Sequence, residues 1–217
     1  MDLSETEIRV VGCLLEKQRT TPDVYPLSVN ALRLACNQST NRDPVVDYGE
    51  DTVRDALRRA ERRGWVRLAS GAGSRAAKFR HRLDERLPMD SGEQAIMCLL
   101  MLRGAQTPGE CKTRSERLYA FADLQAVTAA LDRLVQRGLV TALSRRPGQK
   151  EERYAHLLAG APTEVRDGGG HPDGAAVAPA PAPAPTRAGD ADALDDVRAR
   201  LARLEREVSE LRAALGE

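Results

Sequence analysis

Five arginines lie within residues 51–63, a stretch whose pattern predicts a helix. They are Arg54, Arg58, Arg59, Arg62 and Arg63, and the apolar residues of the same stretch are Val53, Ala56, Leu57 and Ala60. The three-and-four spacing of the apolar residues predicts one buried face and leaves the arginines elsewhere. A guanidinium group donates paired hydrogen bonds to phosphate oxygens and to guanine edges. This helix is therefore predicted to contact nucleic acid.

A basic hairpin is predicted directly after this helix. Gly64 can supply the left-handed backbone of a helix C-cap, and residues 65–68 and 78–82 have strand patterns around a glycine-containing tip. Residues 49–82 hold ten basic and four acidic side chains, whereas the net charge of the whole chain is only +1. A helix followed by a basic hairpin is typical of the DNA-contacting half of a winged-helix domain. Arg75, Lys78 and Arg80 are predicted to contact phosphates from this hairpin.

The same helix also carries carboxylates, which favour a second interpretation. Asp55 and Glu61 fall at helical spacing from Arg59 and Arg58, so they are predicted to pair with these arginines or to repel phosphate. Under this interpretation residues 51–63 form only a solvated charged face. Both interpretations fit the sequence.

Other kinds of chemistry have little support. The four cysteines, Cys13, Cys36, Cys98 and Cys111, are not closely paired and have no histidine at ligand spacing, so buried reduced thiols are predicted rather than a zinc site. The histidines are separated along the chain, and no phosphate-loop, dinucleotide, metalloprotease or serine-nucleophile motif occurs. We therefore expect no catalytic residue, no metal and no cofactor, and the protein is not expected to be an enzyme.

The residues before the basic helix are predicted to form two helices and a loop. Ser4 and Glu7 have the spacing of a capping box, which begins a helix that runs to about Lys17. Ser28 is predicted to cap a second helix that runs to about Asn37. The polar stretches around residues 30–42 and 107–117 are predicted to be rich in loops, and they serve either as recognition surfaces or as ties within the fold.

The pattern of residues 1–88 returns in residues 89–160. Asp90 or Ser91 is predicted to cap a helix, and a shift of 74 residues superposes the basic helix and its glycine cap on residues 127–140. Internal similarity of this kind indicates two copies of one fold. The second copy predicts a helix over residues 123–137 and a hairpin from residues 139–143 and 153–157. Because its helix is nearly neutral, this copy is predicted to serve packing or a protein partner, while its hairpin tip adds the DNA contacts Arg145, Arg146 and Lys150.

The C-terminal part of the chain has two further patterns. Residues 161–190 are rich in glycine, alanine and proline, which predicts an extended linker. Residues 191–217 carry an apolar heptad seam, which predicts a coiled coil between two chains and therefore a homodimer. The seam consists of Leu194, Val197, Leu201, Leu204, Val208, Leu211 and Leu215. The alternative is a helix that folds back onto its own domains.

Composition is typical of a globular protein. The 217 residues are 41% hydrophobic and 30% charged, and only 3% are aromatic, which disfavours an RNA-stacking surface. No apolar run approaches the roughly 18 residues of a membrane span, and the acidic start is unlike a signal peptide, so a cytoplasmic location without membrane contact is predicted. The predicted fold is mainly helical with small β-hairpins (α+β). It comprises tandem winged-helix domains at 1–88 and 89–160, a linker at 161–190 and a coiled-coil helix at 191–217.

Several long strings resemble the YceH-like family of bacterial proteins. They include VGCLLEKQ at 11–18, YPLSVN at 25–30, NRDPV at 41–45, RGAQTPGE at 103–110 and PGQKE at 147–151. The resemblance covers about residues 4–160 and implies tandem winged-helix domains. It implies no particular activity, because DNA binding in this family is inferred from the fold, and a fold alone does not define function.

The residues and the resemblance together predict a protein that binds double-stranded DNA, either as a transcriptional regulator or as an architectural protein. A homodimer would present four winged-helix domains, so that moderate contacts from each add through effective concentration. The alternative is a scaffold or adaptor whose winged-helix domains bind another protein and not DNA.

Overall fold

The computed structural model describes residues 3–70, 76–144 and 151–160, which form helices and two small antiparallel sheets. The first repeat, residues 3–88, contains α1 (Glu5–Thr20), β1 (Leu27–Ser28), α2 (Val29–Cys36), α3 (Glu50–Arg62), β2 (Val66–Leu68), β3 (Lys78–His81) and α4 (Leu83–Arg86). The second repeat, residues 89–160, contains α5 (Ser91–Arg103), α6 (Pro108–Ser115), α7 (Leu124–Gln136), β4 (Val140–Leu143) and β5 (Arg153–His156). The predicted class, mainly helical α+β, is confirmed for these residues.

Local capping signals fix where the helices begin. Ser4 and Asp90 each accept a hydrogen bond from the backbone amide of the glutamate three residues later, and Glu7 and Glu93 accept from the cap residue in return. Both α1 and α5 therefore begin with a capping box. Ser28 caps α2 in a similar way, by accepting from a backbone amide in the first turn. These predicted helix starts are confirmed.

The prediction of loop-rich structure around residues 107–117 was wrong over α6. Thr107 accepts a hydrogen bond from the amide of Glu110, whose side chain accepts from Thr107 in return, and Pro108 occupies the first turn. A capping box with proline at the first helical position favours a helix, even in a polar stretch.

In the first repeat, α1 also continues to Thr20, beyond the predicted end near Lys17.

The sheets have equivalent arrangements in the two repeats. In the first, the strand order is β1-β3-β2, with Leu27 opposite Phe79. In the second, β4 pairs with β5, and an isolated antiparallel bridge joins Gln106 to Tyr154 where the first repeat has β1. Each predicted hairpin is present, and each is extended by a short segment that lies in the sequence between the first and second helices of its repeat.

The helices α3 and α7 end in the same way. Gly64 and Gly138 follow their last turns with φ values of 75° and 66°. The amide of the next residue then donates back to a helix carbonyl, at 2.8 Å from Trp65 and at 3.0 Å from Leu139. A left-handed residue followed by such a bond is the usual glycine C-cap. The glycine cap predicted at Gly64 is confirmed, and its counterpart at Gly138 has the same geometry.

The two repeats pack together through α1 and α5. A Cβ atom added to Gly12 would lie 3.0 Å from the Leu102 side chain, so glycine allows the two helices to approach closely here. The Cys98 thiol lies 3.7 Å from the Gly12 carbonyl oxygen. At the edge of this interface, the amide of Leu3 donates to the carbonyl of Leu158 at 3.0 Å.

All four cysteines are buried free thiols, as predicted. Within residues 3–70, 76–144 and 151–160, no group of three or more His, Cys, Asp and Glu side chains is arranged to hold a metal ion. None of the helices in these ranges combines the length and the apolar character needed to cross a membrane.

Candidate nucleic-acid interface

The helix α3 buries one face and exposes the other. Its buried residues, which pack in the core of the first repeat, are Val53, Ala56, Leu57 and Ala60. Arg54, Arg58 and Arg62 are exposed, and 49% of the Arg54 side chain and 61% of the Arg58 side chain are accessible. Because residues four apart are neighbours on a helix surface, these three form one continuous line. We call Arg54, Arg58 and Arg62 the arginine stripe.

Two members of the arginine stripe pair with carboxylates of the same helix. Arg54 contacts Glu50, and Arg58 contacts Asp55. Exposed pairs of this kind contribute only about 0.3–0.5 kcal/mol, so a phosphate group can replace the carboxylate at little cost. Arg62 forms no ion pair or hydrogen bond with any residue that the structure describes.

The arginine partners predicted for Asp55 and Glu61 were wrong. Asp55 pairs with Arg58, one turn along the helix, and not with Arg59. The carboxylate of Glu61 accepts a hydrogen bond from the backbone amide of Leu68 at 3.2 Å. This contact joins β2 to the last turn of α3, next to the C-terminal end of the arginine stripe.

Arg59 and Arg63 lie beside the start of α1. Nε of Arg59 is 4.0 Å from Oε1 of Glu7, and Nη1 of Arg63 is 3.7 Å from Oε2. Burial by itself raises the pKa of Glu7, but hydrogen bonds with Ser4 and the charges of Arg63 and Arg59 hold this pKa below its usual value. A buried carboxylate needs such partners. These two arginines therefore stabilise the fold, in addition to any contact they make with a ligand.

The same arrangement recurs in the second repeat. Arg133 donates through Nε to Oε1 of Glu93 at 2.8 Å, and Arg137 donates through Nη1 to Oε2 at 3.0 Å. Glu93 is the capping-box residue of α5, as Glu7 is of α1. An arginine pair that binds the equivalent buried glutamate in both repeats has a structural role.

The arginine stripe, in contrast, has no counterpart in α7. The shift of 74 residues that relates the repeats places Thr128, Asp132 and Gln136 at the three positions. Asp132 and Gln136 are exposed and Thr128 is partly exposed, and none of the three is basic. The repeats therefore share the arginines that stabilise the fold and differ in the arginines that face solvent.

The first hairpin adds further exposed cations to the same repeat. Arg67 of β2 and Lys78 of β3 are exposed, and the side chain of neither pairs with a described residue. Arg67 was absent from the predicted contact residues, although Val66 is buried and strand alternation turns the next side chain outward. Arg80 shares Glu85 with Arg82, at 3.4 Å and 2.8 Å, so its charge is partly balanced. We call the arginine stripe together with Arg67 and Lys78 the basic face.

The remaining predicted contacts lie outside the described residues. These are Arg75, which lies between β2 and β3 in the sequence, and Arg145, Arg146 and Lys150, which lie between β4 and β5 in the sequence. The linker at 161–190 and the heptad seam at 194–215 lie outside them as well.

These features define a class of mainly helical α+β protein in which one unit of three helices and a hairpin occurs twice, with an exposed basic face on the first copy. The unit is not specific to this chain. The chain belongs to the DUF480 family, because the family model described as "Protein of unknown function, DUF480" matches residues 3–149.

Relatives in several bacteria share this sequence over most of its length. A UPF0502 protein of Shewanella sp. (strain MR-4) is 42% identical over 221 residues, which cover 99% of this chain and 96% of that protein. A UPF0502 protein of Pelobacter propionicus is 52% identical over 162 residues, or 74% of each chain. One of Geotalea uraniireducens is 45% identical over 215 residues, covering 98% of this chain and 91% of its own length.

Proposed function

We propose that each repeat is a winged-helix domain and that the first one binds double-stranded DNA through the basic face. In this proposal α3 enters the major groove and the first hairpin lies as a wing along the phosphate backbone. The arginine stripe is the observation that carries the proposal. Three arginines occupy the solvent-facing line of α3, and the equivalent helix of the second repeat has none there.

The dimensions and the chemistry of α3 fit this role. The helix has 13 residues, so it is about 20 Å long, and the major groove of B-DNA is wide enough to admit it. Arg54 and Arg58 are assigned to base edges, since arginine donates two hydrogen bonds to guanine O6 and N7. Arg62, Arg67 and Lys78 are assigned to phosphates, because no described residue pairs with their side chains.

The carboxylates of α3 limit the affinity that one domain can reach. Four acidic and four basic residues occupy the helix, so its formal charge is zero. Attraction to DNA then comes from Arg62 and the hairpin cations, which contact phosphates, and from exchange of the weak pairs of Arg54 and Arg58 for contacts with base edges. Such a domain binds moderately by itself. A homodimer formed through the heptad seam would raise the overall affinity by effective concentration.

Fluorescence anisotropy with a labelled random duplex tests the proposal. We expect the variant Arg54→Gln/Arg58→Gln/Arg62→Gln to bind at least about a hundredfold more weakly than the unmodified chain, since each of the three lost contacts is worth of the order of 1 kcal/mol or more. Lys112→Gln in α6 is the control for a lost charge, because the Lys112 side chain also has no partner among the described residues. Equal affinity of the stripe variant and the control would refute the proposal.

A scaffold or adaptor function is the second candidate, and exposed apolar side chains in the second repeat favour it. Tyr119, Leu124 and Val135 have 41%, 48% and 38% of their surfaces accessible. The described part of the first repeat exposes four large apolar side chains as well, so the second repeat is distinguished by its lack of the arginine stripe and not by its apolar surface. An adaptor without DNA binding would show weak anisotropy changes at every salt concentration, and its stripe variant would behave like the unmodified chain.

A further inference from the structure

A cavity of about 210 Å³ lies between the two repeats. Its walls come from the C-terminal ends of α1 and α5, from the loop after α2, and from α6 with the turn that follows it. The basic lining residues are Lys17, Arg103, Arg114 and Arg117, and the apolar part of the lining includes Cys98 and Leu102. No residue of the basic face lines this cavity. Its volume is below the usual range for drug-sized ligands, so it suits a small metabolite.

Positive charge exceeds negative charge around the cavity. The single carboxylate in its lining, Glu16, is held by the buried guanidinium of Arg42, with distances of 3.0 Å and 2.6 Å to its two oxygens. Among the described residues, Glu110 pairs with Arg114, and Asp43 lies close enough to Arg103 to act on its charge. Two helix C-termini add roughly half a negative charge each. Against these stand Arg42 and the four basic lining residues, which leaves a surplus of about one positive charge.

The partners of the basic side chains leave room for a ligand. Arg117 makes no ion pair or hydrogen bond with any described residue. The Arg103 side chain bonds to the neutral Asn41, and Lys17 has only two long contacts, at 3.4 Å to Gln38 and 3.5 Å to Glu16. Burial lowers the pKa of Arg103, and the neighbouring charges of Arg114 and Arg42 lower it further. Positive groups that repel one another in a polar cavity favour a bound anion.

We propose that the cavity between the repeats binds a small oxyanion, namely the phosphate or carboxylate group of a metabolite. Lys17 contacts it from the first repeat, and Arg103 and Arg117 contact it from the second. Guanidinium groups bind planar and tetrahedral oxyanions with paired hydrogen bonds, whereas the apolar side of the lining accepts the carbon part of the ligand. The ligand therefore connects the two repeats. This site is independent of DNA binding, since it shares no residue with the basic face.

Isothermal titration of the full chain with inorganic phosphate and, separately, with succinate tests this proposal, with chloride at equal ionic strength as the reference. We expect saturable binding of at least one of the two anions and a higher melting temperature in its presence. Phosphate binding alone would identify a phosphorylated ligand, and succinate binding alone would identify a carboxylate; either result supports the site.

Single-residue variants test whether the anion binds in the cavity between the repeats. Arg103→Gln and Arg117→Gln should each weaken the affinity roughly tenfold, which is the usual cost of losing a charge-assisted hydrogen bond. Lys112→Gln removes a positive charge from α6 outside the lining and should leave the affinity unchanged. Two results would overturn the proposal: no saturable binding of either anion beyond the chloride reference, or binding that is the same in all three variants.

Discussion

The guanidinium group of Arg133 donates to the carboxylate of Glu93 at 2.8 Å, across 40 residues of sequence. The equivalent groups in the first repeat, Arg59 and Glu7, are 4.0 Å apart. In each repeat this contact ties the start of the first helix to the third helix. The same contact is therefore short in the second repeat and long in the first. We expect the shorter contact to contribute more to the free energy of unfolding.

Replacement of the two glutamates should show this difference directly. Glutamine keeps the shape of the side chain and its capping hydrogen bond, but it removes the charge that the arginines bind. We expect Glu93→Gln to lower the free energy of unfolding by about 2 kcal/mol and Glu7→Gln by about 1 kcal/mol, since the arginines are partly exposed and the contacts of Glu7 are longer. Urea denaturation at neutral pH measures both values. A larger loss for Glu7→Gln would contradict the structural comparison.

The contribution of Glu7 should also depend on pH. The folded protein holds the pKa of Glu7 below its ordinary value of 4.5. A lowered folded pKa gives stability that is fully present above pH 4.5 and is lost as the pH falls through the folded value. The stability difference between the unmodified chain and Glu7→Gln should therefore shrink as the pH is lowered from 6 towards 3. Melting temperatures across this range provide the measurement, and a constant difference would be inconsistent with the carboxylate contacts.

His81, which is buried, and His156, whose Nδ1 atom is buried, should differ in their response to substitution at neutral pH. His81 accepts a hydrogen bond at Nδ1 from the Leu83 amide at 3.2 Å and also bonds to Gln18, whereas Nδ1 of His156 has no partner among the described residues. An unsatisfied buried polar atom costs about 1–3 kcal/mol. We expect His156→Leu to be neutral or stabilising at pH 7.5 and His81→Leu to be destabilising. Urea denaturation tests the pair, and destabilisation by both substitutions would contradict the prediction.

The contribution of His156 to the stability of the folded protein should depend on pH. Burial lowers the pKa of His156 from its ordinary 6.5 to about 4, so the folded state favours the neutral ring. Stability from this group is complete above pH 6.5 and is lost as the pH falls towards 4, because the unfolded chain takes up the proton first. The advantage of His156→Leu over the unmodified chain should therefore be greater at pH 5 than at pH 7.5. A stability advantage of His156→Leu that is smaller at pH 5 than at pH 7.5 would contradict the lowered pKa of His156.

The close approach at Gly12 predicts a penalty for larger residues. A Cβ atom there would lie 3.0 Å from Leu102 and 3.2 Å from Met101, so the branches of valine would press on α5. Overpacking of this kind costs about 1–3 kcal/mol. We expect Gly12→Val to lower the melting temperature clearly, while Gly49→Thr changes it little, because Gly49 is at an open position and threonine is as acceptable as glycine at the N-cap of α3. Equal effects of the two substitutions would show that α1 and α5 do not approach closely at Gly12.

Local signals in the sequence predicted much of the fold. Ser4, Ser28 and Asp90 each mark a helix start through a hydrogen bond that closes within three residues, and Gly64 marks a helix end by its own backbone freedom. The prediction did not include α6, because the polar composition of residues 107–117 is typical of loops, whereas the capping box of Thr107 begins a helix there. Signals of this kind are readable because the interacting groups are close in sequence.

Partners that are far apart in sequence could not be predicted in the same way. Helical spacing assigned Arg59 to Asp55, but its partner Glu7 lies on another helix. The internal repeat held the missing information, since Arg59 recurs as Arg133 while Arg54 is replaced by Thr128. Residues that recur with the same partner stabilise both copies, and residues found in one copy only are candidates for function.

The salt dependence of DNA binding tests the basic face most directly. Arg62, Arg67 and Lys78 are assigned to phosphates, and each neutralised phosphate contributes about 0.9 to the slope of log affinity against log salt. Between about 50 and 200 mM salt, the variant Arg62→Gln/Arg67→Gln/Lys78→Gln should have a slope shallower by about 2.7 than that of the unmodified chain. Identical slopes, or no binding of the unmodified chain to duplex DNA at 50 mM salt, would contradict the assignment.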